Sequence, residues 1–404
     1  MTPGASESPV QSIETVKTMR KPVYLDYAAT TPVAPEVAAA MADCLTLEGK
    51  FANPASRSHL YGWQAEEAVE EARAQVAALI GADTREIIWT SGATEANNLA
   101  LKGAAEAWRD SHPEGGHIIV PVIEHKAVLD PIEWLENRGF AVTRLEPDQY
   151  GQIQPQQVAA AIRPDTFLIS VMQVNNELGT INDIRAIAAI DRPPTCLLHV
   201  DAAQSAGKIP LDVRELGVDL LSLSAHKFYG PKGVGALYIR RHGDVKVRAQ
   251  LHGGGHERGF RSGTLATHQC VGMGVAASLA LEHLAEDAER IASLRDALWQ
   301  GIASLPDVHL NGHPGQRASG HLNVAFGGCN GETLLLSLRD LAVSSGSACN
   351  SASLSPSYVL KAIGLSVALA QASLRFSLGR YTRREEIEYA IGHIQQVVNR
   401  IRNL

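Results

Sequence analysis

The sequence predicts an α/β protein with a mostly parallel, seven-stranded sheet domain, followed by a smaller α+β domain. Three observations predict it. Short apolar runs alternate with helix-patterned stretches from residue 80 to residue 280. Within those runs the apolar residues are consecutive, the signature of strands covered on both faces. After residue 280 the texture shifts to charged helical segments with isolated strand-like runs.

The elements follow in order. Residues 64–80 form an amphipathic helix, with Ala68, Ala72, Val76 and Ala77 on one face and glutamates opposite. Strands are expected at 87–90, 117–121, 142–145, 167–172, 197–201, 220–224 and 235–239, with helices at 95–109, 126–137 and 155–162 between them. Such alternation is the pattern of a parallel sheet wrapped by helices. A long charged helix at 281–305 leaves this block. Strands at 321–325 and 374–378, with helices at 331–340, 357–363 and 384–402, complete the smaller domain.

Composition excludes several function classes. At roughly 150 residues per domain, 404 residues make two or three domains. With 36 basic against 43 acidic side chains, the net charge is −7, so no basic surface for nucleic acid is expected. No apolar run approaches the roughly 18–20 residues that span a bilayer. The first twenty residues contain Glu7 and Glu14 and no hydrophobic segment, unlike a signal peptide, so a cytoplasmic location is expected. Cys44, Cys196, Cys270, Cys329 and Cys349 are odd in number and form no CxxC pair, which argues against a disulfide framework or a zinc ribbon. His252 and His256 read as loop residues without a third ligand, and no resident metal is expected. The basic cluster at 240–248 reads as a solvated face.

Three strand ends carry chemistry. In open α/β sheets the ligand crevice lies beyond the carboxyl ends of the strands. LLHVDAAQS ends a strand on Asp201 and places Gln204 three residues on; such an aspartate is either a helix N-cap or a charge aimed at a ligand. LLSLSAHKFYGPKG places Ser224, His226 and Lys227 at the next strand end. Lys227 either snorkels to the surface or, desolvated between His226 and Phe228, becomes a Schiff-base amine. IIWTSGATEANN runs a strand into Ser91, Gly92, Ala93 and Thr94, with a helix beginning at about Thr94 or Glu95. That junction is either an ordinary capping box or a cradle for a phosphate at a helix N-terminus. A phosphate cradle, a carboxylate and a lysine at the ends of one sheet are what pyridoxal 5'-phosphate requires. His125 in EHKAVLD is placed to stack on its ring.

Nine segments in this order, YLDYAATTP, NPASRSH, TSGATEANN, EHKAVLD, VNNELG, HVDAAQS, SAHKFYGPKG, HGGGHERGFRSGT and SSGSACNSASLSPSYVL, resemble the cysteine desulfurases of the IscS/NifS type, in the group with a long cysteine loop. The resemblance covers nearly the whole chain. It implies a homodimeric fold-type-I pyridoxal phosphate transferase of the class V aminotransferase kind. Such an enzyme converts L-cysteine to L-alanine and passes sulfur on as a protein persulfide to an iron–sulfur scaffold protein and other acceptors, including those of tRNA or cofactor thiolation. By the same resemblance Lys227 is the Schiff-base lysine, Asp201 the partner of the ring nitrogen, and Gln204 the partner of the ring hydroxyl. His125 stacks on the ring and shuttles a proton. Ala93, Thr94, Ser224 and His226 hold the phosphate, with Thr264 reaching in from the other subunit. Asn176 contacts cofactor and substrate, Arg375 binds the substrate carboxylate, and Cys349 is the sulfur-accepting nucleophile, able to ligate a cluster transiently on a scaffold partner. The chain then divides into an extension (1–20), a segment packing on the small domain (21–36), a large cofactor domain (37–284) and a small domain with the cysteine loop (285–404). Selenocysteine lyase and cysteine sulfinate desulfinase are the neighbouring activities, and a non-catalytic scaffold on this fold is the rival outside enzymes. Small and polar neighbours around Cys349 suit a thiol that must travel.

Overall fold

The computed structural model describes residues 21–243, 245–345 and 356–403; the extension expected over 1–20 and Cys349 lie outside the described residues. Seven strands, β1 (Ile87–Thr90), β2 (His117–Pro121), β3 (Ala141–Leu145), β4 (Thr166–Ser170), β5 (Leu197–Asp201), β6 (Leu220–Ser224) and β7 (Gly235–Ile239), pair side by side in the order β1-β7-β6-β5-β4-β2-β3. β7 runs antiparallel to both its neighbours, and the remaining pairs are parallel. Both faces are covered along the inner strands, which is why they read as nearly unbroken apolar runs, whereas the edge strand β3 is only partly buried. Ile87 and Trp89 face one core with Val69, Val76 and Met273. Ile88, between them, faces the other core with Leu99, Ile118 and Val128.

Helix α1 (Leu60–Leu79) begins four residues before the expected start, because His59 caps it through Nδ1, which accepts the Gly62 N–H at 3.1 Å. Helix α2 (Ala93–Arg109) starts directly after Gly92, whose φ of +151° favours glycine. Helix α3 (Lys126–Glu136) follows His125. β4 stops at Ser170, two residues short of expectation, because the Met172 N–H is taken by the Glu124 carboxyl at 2.6 Å.

The helix expected at 281–305 is instead α4 (Thr267–Ala303), 37 residues long. Its first half was hidden because it is apolar on most sides: Cys270, Met273, Ala276, Ala277 and Ala280 are all buried. Gly274 lets it approach α1 closely, since a Cβ there would come within 2.6 Å of the Ala72 Cα. The expected boundary between residues 284 and 285 therefore falls inside one continuous helix.

A second sheet, β8 (Val308–Asn311), β9 (His321–Phe326), β10 (Ser344–Ser345) and β11 (Ser373–Ser377), is antiparallel with order β10-β11-β9-β8. Leu322, Val324, Leu374 and Phe376 pack with Leu294, Leu298 and Ile302 of α4, and with Ile387, Ile394 and Val398 of α5 (Arg384–Arg402). Leu25 joins this core, and Val23–Tyr24 pairs in parallel with Leu341–Ala342. The residues that follow, from Asp26 to Thr31, then cross to the first sheet: the Thr31 N–H donates to the His226 carbonyl at 2.9 Å.

Candidate active site

β1, β2, β4, β5 and β6 all point their carboxyl ends to one edge of the sheet. A cavity of about 620 Å³ opens there. Ten of the expected site residues line it: Ala93, Thr94, His125, Asn176, Asp201, Gln204, Ser224, His226, Lys227 and Arg375. The strands bring their last residues to it by sequence alone, whereas β11 carries Arg375 in from the second sheet. Thr264 does not line the cavity and is exposed on this chain. Cys349 lies outside the described residues.

The Lys227 amine donates to the carbonyls of Ala28 and Ala29 at 2.7 and 2.8 Å, so it points inward rather than snorkelling. Asp201 is 6% exposed. One of its oxygens accepts from Asn97 Nδ2 at 2.8 Å and the other from the Ala203 N–H at 2.9 Å. Gln204 does not wait free for a ring hydroxyl. Its Nε2 donates to the Ala28 carbonyl at 2.8 Å, and its Oε1 accepts from the Lys208 amine at 2.6 Å; burial pushes the pKa of that amine well below the usual lysine value. The second Nε2 proton remains to serve a ligand as a donor.

Two imidazoles border the cavity, and both are kept neutral. His125 caps α3, its Nδ1 accepting the Ala127 N–H at 3.1 Å, which places its proton on Nε2. Burial lowers its pKa; Asp201 opposes that shift and Lys227 adds to it. His226 is pushed down to about 4 by burial and by Lys227, Lys232 and Lys208, with Nδ1 lying 3.1 Å from the Thr30 hydroxyl. Behind them Glu124 is fully buried, and burial pushes its carboxyl well above the usual range. His199 is bracketed by the hydroxyls of Ser170 and Ser222 at 2.8 and 3.0 Å, and burial holds it down at about 4.

The residues fit pyridoxal 5'-phosphate. The N-terminus of α2 has no side-chain cap, leaving backbone N–H groups and the positive end of the dipole beside Ser224 and His226. Gly235 packs against Gly92, where a Cβ would meet the Gly92 Cα at 2.6 Å, so the backbone there is drawn in tight. Asn176 Oδ1 is buried on the cavity wall without a hydrogen-bond partner, an acceptor awaiting a donor.

Arg375 differs from the simple expectation. Its guanidinium, 6% exposed, already donates to the Asn176 carbonyl at 2.8 Å, the Asp26 carboxylate at 2.9 Å and the Ser344 hydroxyl at 3.2 Å. Asp26, Ser344, Asn97 and Lys208 were not singled out from the sequence. Asn97 had a signal: it lies four residues after Ala93, on the same helix face. Asp26 and Ser344 lie far from Arg375 along the chain, and no local spacing reports them.

The class-V aminotransferase family model matches residues 23–390. The cysteine desulfurase IscS of Acinetobacter baumannii (strain AYE) is 58% identical over 387 residues, covering 96% of this chain and 95% of that protein. The cysteine desulfurase IscS of Azotobacter vinelandii is 57% identical over 386 residues, with the same coverage. Among solved structures, a NifS-like protein superposes with a TM-score of 0.86 at 37% identity, covering 94% of this chain and 99% of that one. SspA in complex with cysteine superposes with a TM-score of 0.78 at 42% identity, covering 89% and 100%.

Proposed function

Because this chain belongs to the class-V aminotransferase family, and within it to the IscS-type cysteine desulfurases, we propose that it takes sulfur from L-cysteine, releases L-alanine and carries the sulfur as a persulfide on Cys349. The observation that carries this reading is the convergence of Lys227, Asp201, His125 and Arg375 on one cavity. Pyridoxal 5'-phosphate, bound there, supplies an electron-withdrawing ring that weakens bonds at the substrate's α and β carbons.

The chain's own residues do the rest. Lys227, steered inward by two backbone carbonyls, is the amine that would hold the cofactor's carbonyl carbon. Asp201, fixed by Asn97 and Ala203, would present a carboxylate to the ring nitrogen and keep it protonated. Ala93, Thr94, Ser224 and His226 would receive the phosphate, and Gln204 Nε2 would donate to the ring oxygen. His125, on the cavity wall, would cover a ring face and offer its Nε2 proton. Arg375 takes the substrate carboxylate, which sets the orientation of the thiol.

The Cys349 thiolate attacks the substrate sulfur. An S–S bond forms, the substrate C–S bond breaks, and its electron pair stays on the carbon that is then protonated to give alanine. The buried cysteines are poor alternatives, since burial pushes the thiols of Cys196 and Cys270 up to about 12. The relatives' name supports a role in iron–sulfur cluster assembly, with a scaffold protein and other acceptors as partners. The exposure of Thr264, away from its own chain's cavity, supports a homodimer in which it completes the partner subunit's site.

The test is to measure alanine together with the released sulfur or selenium species from L-cysteine, L-selenocysteine and L-cysteine sulfinate side by side. Preference for L-cysteine, with a persulfide mapped to Cys349 after one turnover, is the expected result. Preference for either of the other substrates without need of Cys349 would replace this reading.

A further inference from the structure

Both edges of a guanidinium that can grip a carboxylate with two parallel hydrogen bonds include the same nitrogen, Nη2. In Arg375 Nη2 already donates to Asp26 Oδ1 at 2.9 Å and to Ser344 Oγ at 3.2 Å. One Nη1 proton goes to the Asn176 carbonyl at 2.8 Å, and Nε is buried without a partner. The Ser344 hydroxyl in turn donates to Asp26 Oδ1 at 2.9 Å, closing a ring of three side chains. Asp26, Ser344 and Arg375 all line the cavity that holds Lys227.

We propose that Asp26 is an internal competitor for the substrate carboxylate: it occupies Nη2 of Arg375 in the resting site, and a substrate or product carboxylate binds by exchanging with it. The inference rests on the reading of Arg375 as the substrate-carboxylate residue. The exchange keeps the buried guanidinium paired at every stage, which avoids the cost of an uncompensated buried charge. It also weakens the hold on every α-carboxylate ligand, and L-alanine, which lacks a thiol to engage further, is the one that must leave at the end of each cycle. Asp26 can yield because its side chain is 20% exposed against 7% for Arg375, so water can take over its carboxylate when the ligand arrives.

Asp26→Asn removes the competing charge while keeping size and shape. Binding of L-alanine to the cofactor-loaded enzyme, measured by calorimetry, should tighten about tenfold, the worth of one charge-assisted hydrogen bond. KM for L-cysteine should fall without a rise in kcat. A role confined to holding the fold would move KM the other way, so an unchanged or raised KM, or unchanged or weaker alanine binding, overturns the proposal. Ser344→Ala, which removes one of the two acceptors at Nη2 without changing charge, should tighten alanine binding by a smaller factor and serves if Asp26→Asn does not fold; no tightening there also counts against the proposal. An enzyme whose wild type releases no alanine from L-cysteine would fail the functional reading. Normal wild-type turnover with no gain in alanine affinity in the variants would fail this inference alone.

Discussion

Asn97 Nδ2 donates to Asp201 Oδ2 at 2.8 Å, joining the helix that begins at the candidate phosphate cradle to the carboxylate at the end of β5. On the proposed reading one helix would set both ends of the cofactor: its uncapped N-terminus would receive the phosphate, and Asn97, one turn further on, would aim the Asp201 charge at the ring nitrogen. Asn97→Ala should lower kcat/KM for L-cysteine by about 10- to 100-fold, the range for losing one hydrogen bond to a buried charge. Cofactor content should stay near wild type, because Lys227 is untouched. A loss below threefold would remove Asn97 from the machinery.

Lys227 and Lys232 both border the cavity, but only Lys227 has its amine shown held inward, by the carbonyls of Ala28 and Ala29. Borohydride reduction of the loaded enzyme should fix the cofactor on Lys227, and peptide mapping should find no label on Lys232. Lys227→Ala should take up no borohydride-stable label. A label at Lys232 would refute the assignment.

Cys44, Cys196, Cys270 and Cys329 are buried. Cys349→Ser should still bind cofactor and L-cysteine, read as a change in visible absorbance on adding substrate, yet release almost no alanine. A hydroxyl is a far poorer nucleophile toward sulfur than a thiolate. Normal alanine release, or a persulfide mapped to Cys329, would show the nucleophile to be elsewhere.

Glu177 gives a pH dependence of stability. Burial raises its pKa from 4.5 to about 7, despite the Ser357 hydroxyl donating to it at 2.5 Å and the nearby Arg375 charge. The folded state binds this proton more tightly than the unfolded state. Its contribution to stability is complete below about pH 4.5 and is lost as pH rises through about 7, a change of up to roughly 3 kcal/mol. Glu177→Gln should flatten the decline in urea midpoint between pH 5 and pH 8. An identical slope in wild type and variant would show that the group does not titrate in this window.

Arg73 and Glu257 form a bidentate pair at 2.7 and 2.8 Å, with both side chains 3% exposed. The pair holds Glu257 and Arg258 in left-handed backbone, at φ +49° and +56°, and Glu257 also accepts the Trp89 N–H at 2.8 Å. Glu257→Ala leaves the buried guanidinium to the more exposed Glu70 carboxylate and the Ile87 carbonyl, strips the Trp89 N–H of its acceptor, and should cost about 3 kcal/mol in chemical denaturation. A loss under about 1 kcal/mol would mean that water or a neighbour replaces the carboxylate.

The sequence by itself determined what depends on neighbours along the chain. Most strands of the first sheet were legible because burial on both faces makes them nearly continuous apolar runs; the edge strand β3, with Thr143 and Arg144, is the exception. The site residues at strand ends were legible because a strand delivers its last residue to the sheet edge whatever else the chain does. For the same local reason the start of α4 was not legible: a helix apolar on most sides shows no period. Only the tertiary structure decided which side chains meet across long separations. Asn97 and Asp201 are 104 residues apart, Glu177 and Ser357 180, and Asp26 and Arg375 349. Arg375 reads from the sequence as a free fork for a ligand carboxylate. It is instead half occupied, because the segment after Leu25 crosses from the second core to the first sheet and carries Asp26 past β11. No spacing along the chain encodes that crossing; it follows from two separate cores being packed with this segment of chain passing between them.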